Sequence, residues 1–213
     1  HHPISSTSNE SWASSSLSSP ISLVATPSME AALTSCVLAL AQGRPLLVEG
    51  PPGSGKSQLI EHLASRVGAS ERMVRIHLDD QMDSKALLGA YACTARPGEF
   101  VWRPGPLTQA VRDGRWLLVE DLNLAPPEIL AALAPLLEQG ELRLAQRAET
   151  LRAAPGFQLL ASVTAAPRVG GAGAYGSARA VKDVLGAHLA CVTMGDPSMG
   201  DEAQVLRAHF PDL

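Results

Sequence analysis

Cysteine is scarce in this chain, apolar runs of membrane length are missing, and basic charge has no surplus. Its three cysteines, Cys36, Cys93 and Cys191, lie far apart without a C-x-x-C pair, which excludes both a zinc site and a disulfide framework. Cys36 and Cys191 sit in apolar runs and read as packing residues. That usage predicts an intracellular, reducing compartment. No apolar stretch reaches the ~18 residues of a membrane span and no secretory signal is visible, so no membrane partner is expected. Seventeen basic against 21 acidic residues leave a net charge of −4. Such a balance provides no global field for nucleic acid, and no direct nucleic-acid binding is expected. No internal repeat is evident. A chain of 213 residues can bury the core of one ordinary domain and still carry an appendage.

What is present is a single organising stretch. The apolar run Leu46-Leu47-Val48 leads into Gly50-Pro51-Pro52-Gly53-Ser54-Gly55-Lys56-Ser57, after which Leu59, Ile60 and Leu63 take helical spacing. Strand, glycine-rich turn and helix start with the spacing G-x-x-x-x-G-K-S are the context of a P-loop. Glycines let the backbone curl until several N–H groups point at one anion, and the helix dipole adds positive potential. Lys56 then neutralises outer phosphates and the Ser57 hydroxyl ligates Mg²⁺. Gly50, Pro51, Pro52, Gly53, Ser54, Gly55, Lys56, Ser57 and Gln58 are the candidate nucleotide-binding residues, for ATP or ADP with Mg²⁺. With no nucleotide in place, the Lys56 stem is expected to be solvated.

The rest of the chain supplies a sheet around this loop. His1-His2 reads as a tag remnant, and residues 5–19, with nine serines, cannot form a core. Ser28 is positioned to cap a helix with apolar residues Met29, Ala32, Leu33, Cys36, Val37 and Leu40. Five strands are expected at about 45–49, 73–78, 115–120, 157–164 and 189–194. Two hairpins interrupt their alternation with helices: one around Arg96-Pro97-Gly98-Glu99, the other within 141–152. The acidic cluster Asp79, Asp80 and Asp83 lacks the glycine and distal glutamate of a calcium loop, and His77 has no ligand partner at metal spacing. Strands alternating with helices after a P-loop predict an α/β fold of three layers with a parallel sheet.

The strand Trp116-Leu117-Leu118-Val119-Glu120-Asp121 ends in two carboxylates about 65 residues after the P-loop. Apolar runs of this kind belong to parallel sheets covered on both faces. One acid at such a position holds the Mg²⁺ shell and the other orients the attacking water. Glu120 is the candidate metal residue together with Ser57, and Glu120 and Asp121 are candidate catalytic residues.

These motifs resemble the AAA+ ATPases. Trp116 to Asn123 followed by Ala125-Pro126-Pro127 is similar to their Walker B strand and turn. The hairpin between Gly89 and Pro106 resembles the helix-2 insert of the branch with dynein-like and MoxR-like members. The string Asp80-Gln-Met-Asp-Ser-Lys85, Leu88-Gly89, Tyr91, Pro97 to Trp102 and Pro104-Gly105 is similar to the midasin family, above all to its first AAA+ module. Pro135 to Glu138, Gly140 to Leu142 and Ala154 to Gln158 continue the likeness.

The resemblance implies a nuclear, nucleolar and nucleoplasmic ATP hydrolase. In that family six AAA+ modules of one chain form a pseudo-hexameric ring that releases assembly factors from pre-60S ribosomal particles. It further implies a large α/β subdomain over 21–195, the start of a truncated helical lid over 196–213, and a tail over 1–20. Thr164 takes the place where the family carries an Asn, as the third candidate catalytic residue. Glu120-Asp121 stands where Asp-Glu is usual, and near the usual arginine finger stand His188 and, upstream, Arg179. Those departures, with the incomplete lid, predict slow or absent turnover by the isolated module. Two alternatives stay open: a nucleotide-binding ring module that does not hydrolyse, and a free-standing MoxR-like chaperone.

Overall fold

The computed structural model describes residues 23–24, 26–79, 81–96, 98–165 and 178–210. The expectations for the tail over 1–20, for Asp80 and Pro97 and for the last three residues of the lid lie outside them.

The chain begins with α1 (Pro27–Ala41), β1 (Leu46–Gly50), α2 (Lys56–Arg66), β2 (Met73–His77) and α3 (Ser84–Leu88). The hairpin β3 (Gly89–Cys93) and β4 (Phe100–Pro104) follows, then α4 (Pro106–Asp113), β5 (Trp116–Glu120) and α5 (Pro127–Gln139). A second hairpin, β6 (Glu141–Leu144) and β7 (Glu149–Arg152), precedes β8 (Gln158–Thr164), α6 (Ala178–Leu185), β9 (Ala190–Thr193) and α7 (Met199–His209). Both hairpins pair antiparallel as separate two-stranded ribbons.

Five strands form one parallel sheet in the order β2-β5-β8-β1-β9. Side-chain alternation explains the three layers. Leu46, Val48, Leu118 and Leu160 pack towards α1 and α2, whereas Leu47, Leu117, Val119, Leu159 and Ala161 pack towards α4, α5 and α6. Strands apolar at every position are therefore buried on both faces. The P-loop strand β1 is interior and β9 forms the edge beside it.

Three local expectations are corrected. Thr26, not Ser28, caps α1: its Oγ1 accepts from Met29 N at 3.4 Å, and Pro27 takes N1, where its missing N–H costs nothing. With that start, Ala32, Cys36 and Ala39 form the buried stripe, and Val37 is 47% exposed. Cys36 is a packing residue, its thiol pushed up to about 11 by burial. Cys191 is not; it alternates with buried Ala190 and Val192 on the edge strand and is exposed.

Leu118 is fully buried in β5, between two parallel partners. Leu118→Ala should lower the unfolding free energy by about 2–5 kcal/mol. Val37→Ala should change it by less than ~0.5 kcal/mol, both read by urea denaturation.

Candidate functional site

Because all five strands run parallel, their C-terminal ends gather on one side of the sheet. The loop after β1 meets the ends of β5, β8 and β9 there. A Cβ on Gly50 would stand 2.8 Å from Ser54 Oγ and 2.9 Å from the Met194 carbonyl, so only glycine fits. Gly55, the residue before α2, has φ +83°, and a side chain there would be strained. The resulting turn buries Ser54, whose Oγ has no hydrogen-bond partner among the described residues. A buried hydroxyl without a partner costs free energy unless something external accepts from it.

Lys56 corrects an expectation. It is 8% exposed rather than solvated, folded back so that Nζ donates to the Gly50 and Pro51 carbonyls at 3.1 and 2.7 Å. Burial lowers its pKa, and the negative field of Asp121 opposes that shift. A buried ammonium with two donated hydrogen bonds keeps a third N–H for an anion. Those carbonyls hold the cation inside the loop in place of water.

The two carboxylates are separately tethered. Glu120 Oε1 accepts from the Ser57 hydroxyl, and Arg75 Nε on β2 lies 3.5 Å from Glu120 Oε2. Asp121 adopts left-handed backbone angles, φ 53° and ψ 48°, which aspartate tolerates better than most residues. Its Oδ1 accepts from Thr164 Oγ1 at 2.6 Å, and Oδ2 lies 3.7 Å from His77 Nδ1. Asn123 Oδ1 accepts from Thr164 N at 3.2 Å. Ser57, Glu120, Asp121 and Thr164 are thus brought together from α2, β5 and β8, in one hydroxyl and carboxylate constellation. Arg179 pairs instead with Asp183 at 3.9 Å along α6, and His188 lies in the turn between α6 and β9.

Sequence reasoning gave no role to Arg75 or Asn123 and set His77 aside for want of a partner at metal spacing. Arg75 and His77 alternate on one face of β2, which would have drawn attention had the β2–β5 pairing been known.

Beside the P-loop a cleft of about 800 Å³ opens between the start of α1, the end of β9 and α7. Gly53, Ser54, Gly55 and Gln58 form its phosphate-side wall, with Met29, Val192, Met194 and Leu206 among its apolar lining. One carboxylate joins its two sides. Asp201 Oδ2 accepts from Ser28 Oγ at 3.0 Å, Ser198 N at 3.1 Å and Ser198 Oγ at 2.9 Å. The unpartnered Ser54 hydroxyl and the Lys56 ammonium suit the anionic tail of a nucleoside triphosphate, and the apolar cleft suits a base. Ser57 and Glu120 present a hydroxyl and a carboxylate, oxygen donors of the kind a hard divalent cation takes.

Comparison with known proteins agrees with this geometry. The family model described as AAA domain (dynein-related subfamily) matches residues 45–177. Midasin of Dictyostelium discoideum is 49% identical over 142 residues, 67% of this chain and 2% of that protein. Protein NorQ of Paracoccus denitrificans is 36% identical over 125 residues, 58% of this chain and 45% of that one. The solved structure of a putative ATPase from Cytophaga hutchinsonii superimposes with a TM-score of 0.53 at 17% identity, over 84% of this chain and 53% of that one, a likeness of fold. The chain therefore spans a small fraction of the midasin it matches, and under half of NorQ.

Hydrogen bonds from Ser198, and then Ser28, hold the Asp201 carboxyl below the usual carboxylate range. A depressed folded pKa stabilises above the unfolded value of ~3.9 and is lost as pH falls through the folded one. Asp201→Asn should therefore destabilise the protein at pH 7, with the difference from the parent shrinking below about pH 4 in denaturant titrations at each pH.

Proposed function

We infer the function from one premise: the chain belongs to the AAA domain family, in its dynein-related subfamily. It is an ATP-binding module of a midasin-type machine, which uses ATP binding and hydrolysis to remodel and release assembly factors from pre-60S particles in the nucleus. The observation that carries the nucleotide part is the contact of Ser57 with Glu120, which joins the P-loop helix to the acidic end of β5. The ring, its neighbouring modules, the pre-ribosomal partners and the nuclear setting follow from the likeness to midasin. On this reading the α/β subdomain of that module is assigned to 21–195 and the start of its lid to 196–213.

The roles divide by position. Loop N–H groups over 53–57 and the Lys56 ammonium receive the phosphates, and the Ser54 hydroxyl, otherwise orphaned, donates to one of their oxygens. Ser57 Oγ and Glu120 would hold Mg²⁺, which would supply charge neutralisation of the outer phosphates. Asp121 accepts a hydrogen bond from the attacking water and orients it, while Thr164 fixes the Asp121 carboxylate. The shorter Asp121 side chain and a hydroxyl at 164 make this a weak catalytic pair. No arginine from a neighbour reaches the isolated module, and such a residue contributes ~10³–10⁵ in rate. A second reading, a free-standing MoxR-like subunit, is favoured by the likeness to NorQ, of which the chain covers 45%.

Calorimetry with Mg-ADP should show binding by the parent and a loss of at least about tenfold in Lys56→Met, which keeps an apolar stem in the buried position. An unchanged circular-dichroism spectrum shows that the variant folds; equal affinity would remove the nucleotide assignment. Phosphate release at saturating Mg-ATP should stay below ~1 s⁻¹ for the parent. Faster turnover that Lys56→Met abolishes would mean the site needs no neighbour.

A further inference from the structure

One charged residue beside the site has no role in the reading above. Arg75 projects from β2, the edge strand next to β5, and contacts two carboxylates from two other elements. Its Nε lies 3.5 Å from Glu120 Oε2, and its guanidinium forms an ion pair with Glu61 on α2. Ser57 and Glu61 are four residues apart on that helix, hence on one face. The four side chains close a circuit: Ser57 to Glu120, Glu120 to Arg75, Arg75 to Glu61, and back along the helix to Ser57. Glu120 is the least exposed ionised member, its side chain at 15% against 44% for Arg75 and 47% for Glu61. A charge interaction matters most where solvent screens it least, so the Arg75–Glu61 pair alone is worth little and the effect of Arg75 falls on Glu120.

Both oxygens of Glu120 therefore have a partner from this chain. A divalent ion approaching Ser57 and Glu120 meets a hydroxyl already donating to the carboxylate and a guanidinium on its far side. We propose that Arg75 is a positioning residue that latches Glu120 onto Ser57 and, by competing for the same carboxylate, weakens the binding of a divalent cation there. Glu61 counterbalances it by neutralising part of the Arg75 charge. The consequence is that the cation is retained with nucleotide phosphates, which add ligands, and is released readily without them. This rests on the nucleotide-site reading and adds to it a determinant of cation affinity outside the P-loop and the acid pair.

The two partners of the circuit predict shifts of opposite sign. Mn²⁺ serves as the probe, titrated by electron paramagnetic resonance into the full chain with saturating ADP. Arg75→Gln should tighten Mn²⁺ binding by roughly three- to tenfold, whereas Glu61→Gln should weaken it by roughly two- to threefold. The double variant should follow Arg75→Gln, because Glu61 acts through Arg75. Arg75→Lys, which keeps the charge, should stay near the parent. A purely structural circuit would instead make both single variants bind Mn²⁺ more weakly, together with lower melting temperatures. Equal or weaker binding by Arg75→Gln, with the parent binding normally, overturns the latch alone. Failure of the parent to bind Mn²⁺ with ADP overturns the nucleotide-site reading and the latch with it.

Discussion

Everything at the site depends on parallel pairing of β1 between β8 and β9, with β5 on the other side of β8. In-register parallel pairing sets Gly50 opposite Thr164 and Glu49 opposite Thr193. The same sheet carries Glu120 at the end of β5, where the Ser57 hydroxyl from the start of α2 reaches it. A strand slipped by one residue would turn Glu120 into the layer occupied by Val119 and bury an unpaired carboxylate. The apolar alternation that fills both faces of the sheet is thus also what aims the site residues.

The electrostatics of this small region are closely matched. Lys56 is a buried cation satisfied by loop carbonyls, and Asp121 contributes a favourable field to it. Glu120 and Asp121 are adjacent acids that avoid one another by facing different partners: Ser57 and Arg75 for the first, Thr164 and His77 for the second. The left-handed backbone at Asp121 separates them, turning the chain between consecutive side chains.

The cleft beside the loop has a different character. Its wall combines α1, the end of β9 and α7, held together by Asp201 accepting from Ser28 across it. One carboxylate saturated by three donors therefore ties the first helix to the last described one. The exposed apolar residues of α7, among them Val205 and Leu206, lie on the helix that this contact positions.

The sequence by itself determined the P-loop, the acidic strand end, both hairpins and all five sheet strands to within a residue or two. These are local properties: glycine spacing, runs of apolar residues and turn chemistry act over a few neighbours. The candidate nucleotide-binding stretch from Gly50 to Gln58 was readable as a motif for the same reason. Tertiary structure alone decided the partners of those residues. Lys56 turned inward because the Gly50 and Pro51 carbonyls outcompete water for it, and nothing in the linear motif displays those carbonyls. Cys191 lost its packing role because β9 took the sheet edge, where one face of a strand lacks a neighbour. Arg75 and His77 joined the site only through the pairing of β2 with β5, elements some 40 residues apart in sequence. Contacts across such separations follow from strand order and register, which a single chain of residue types does not display.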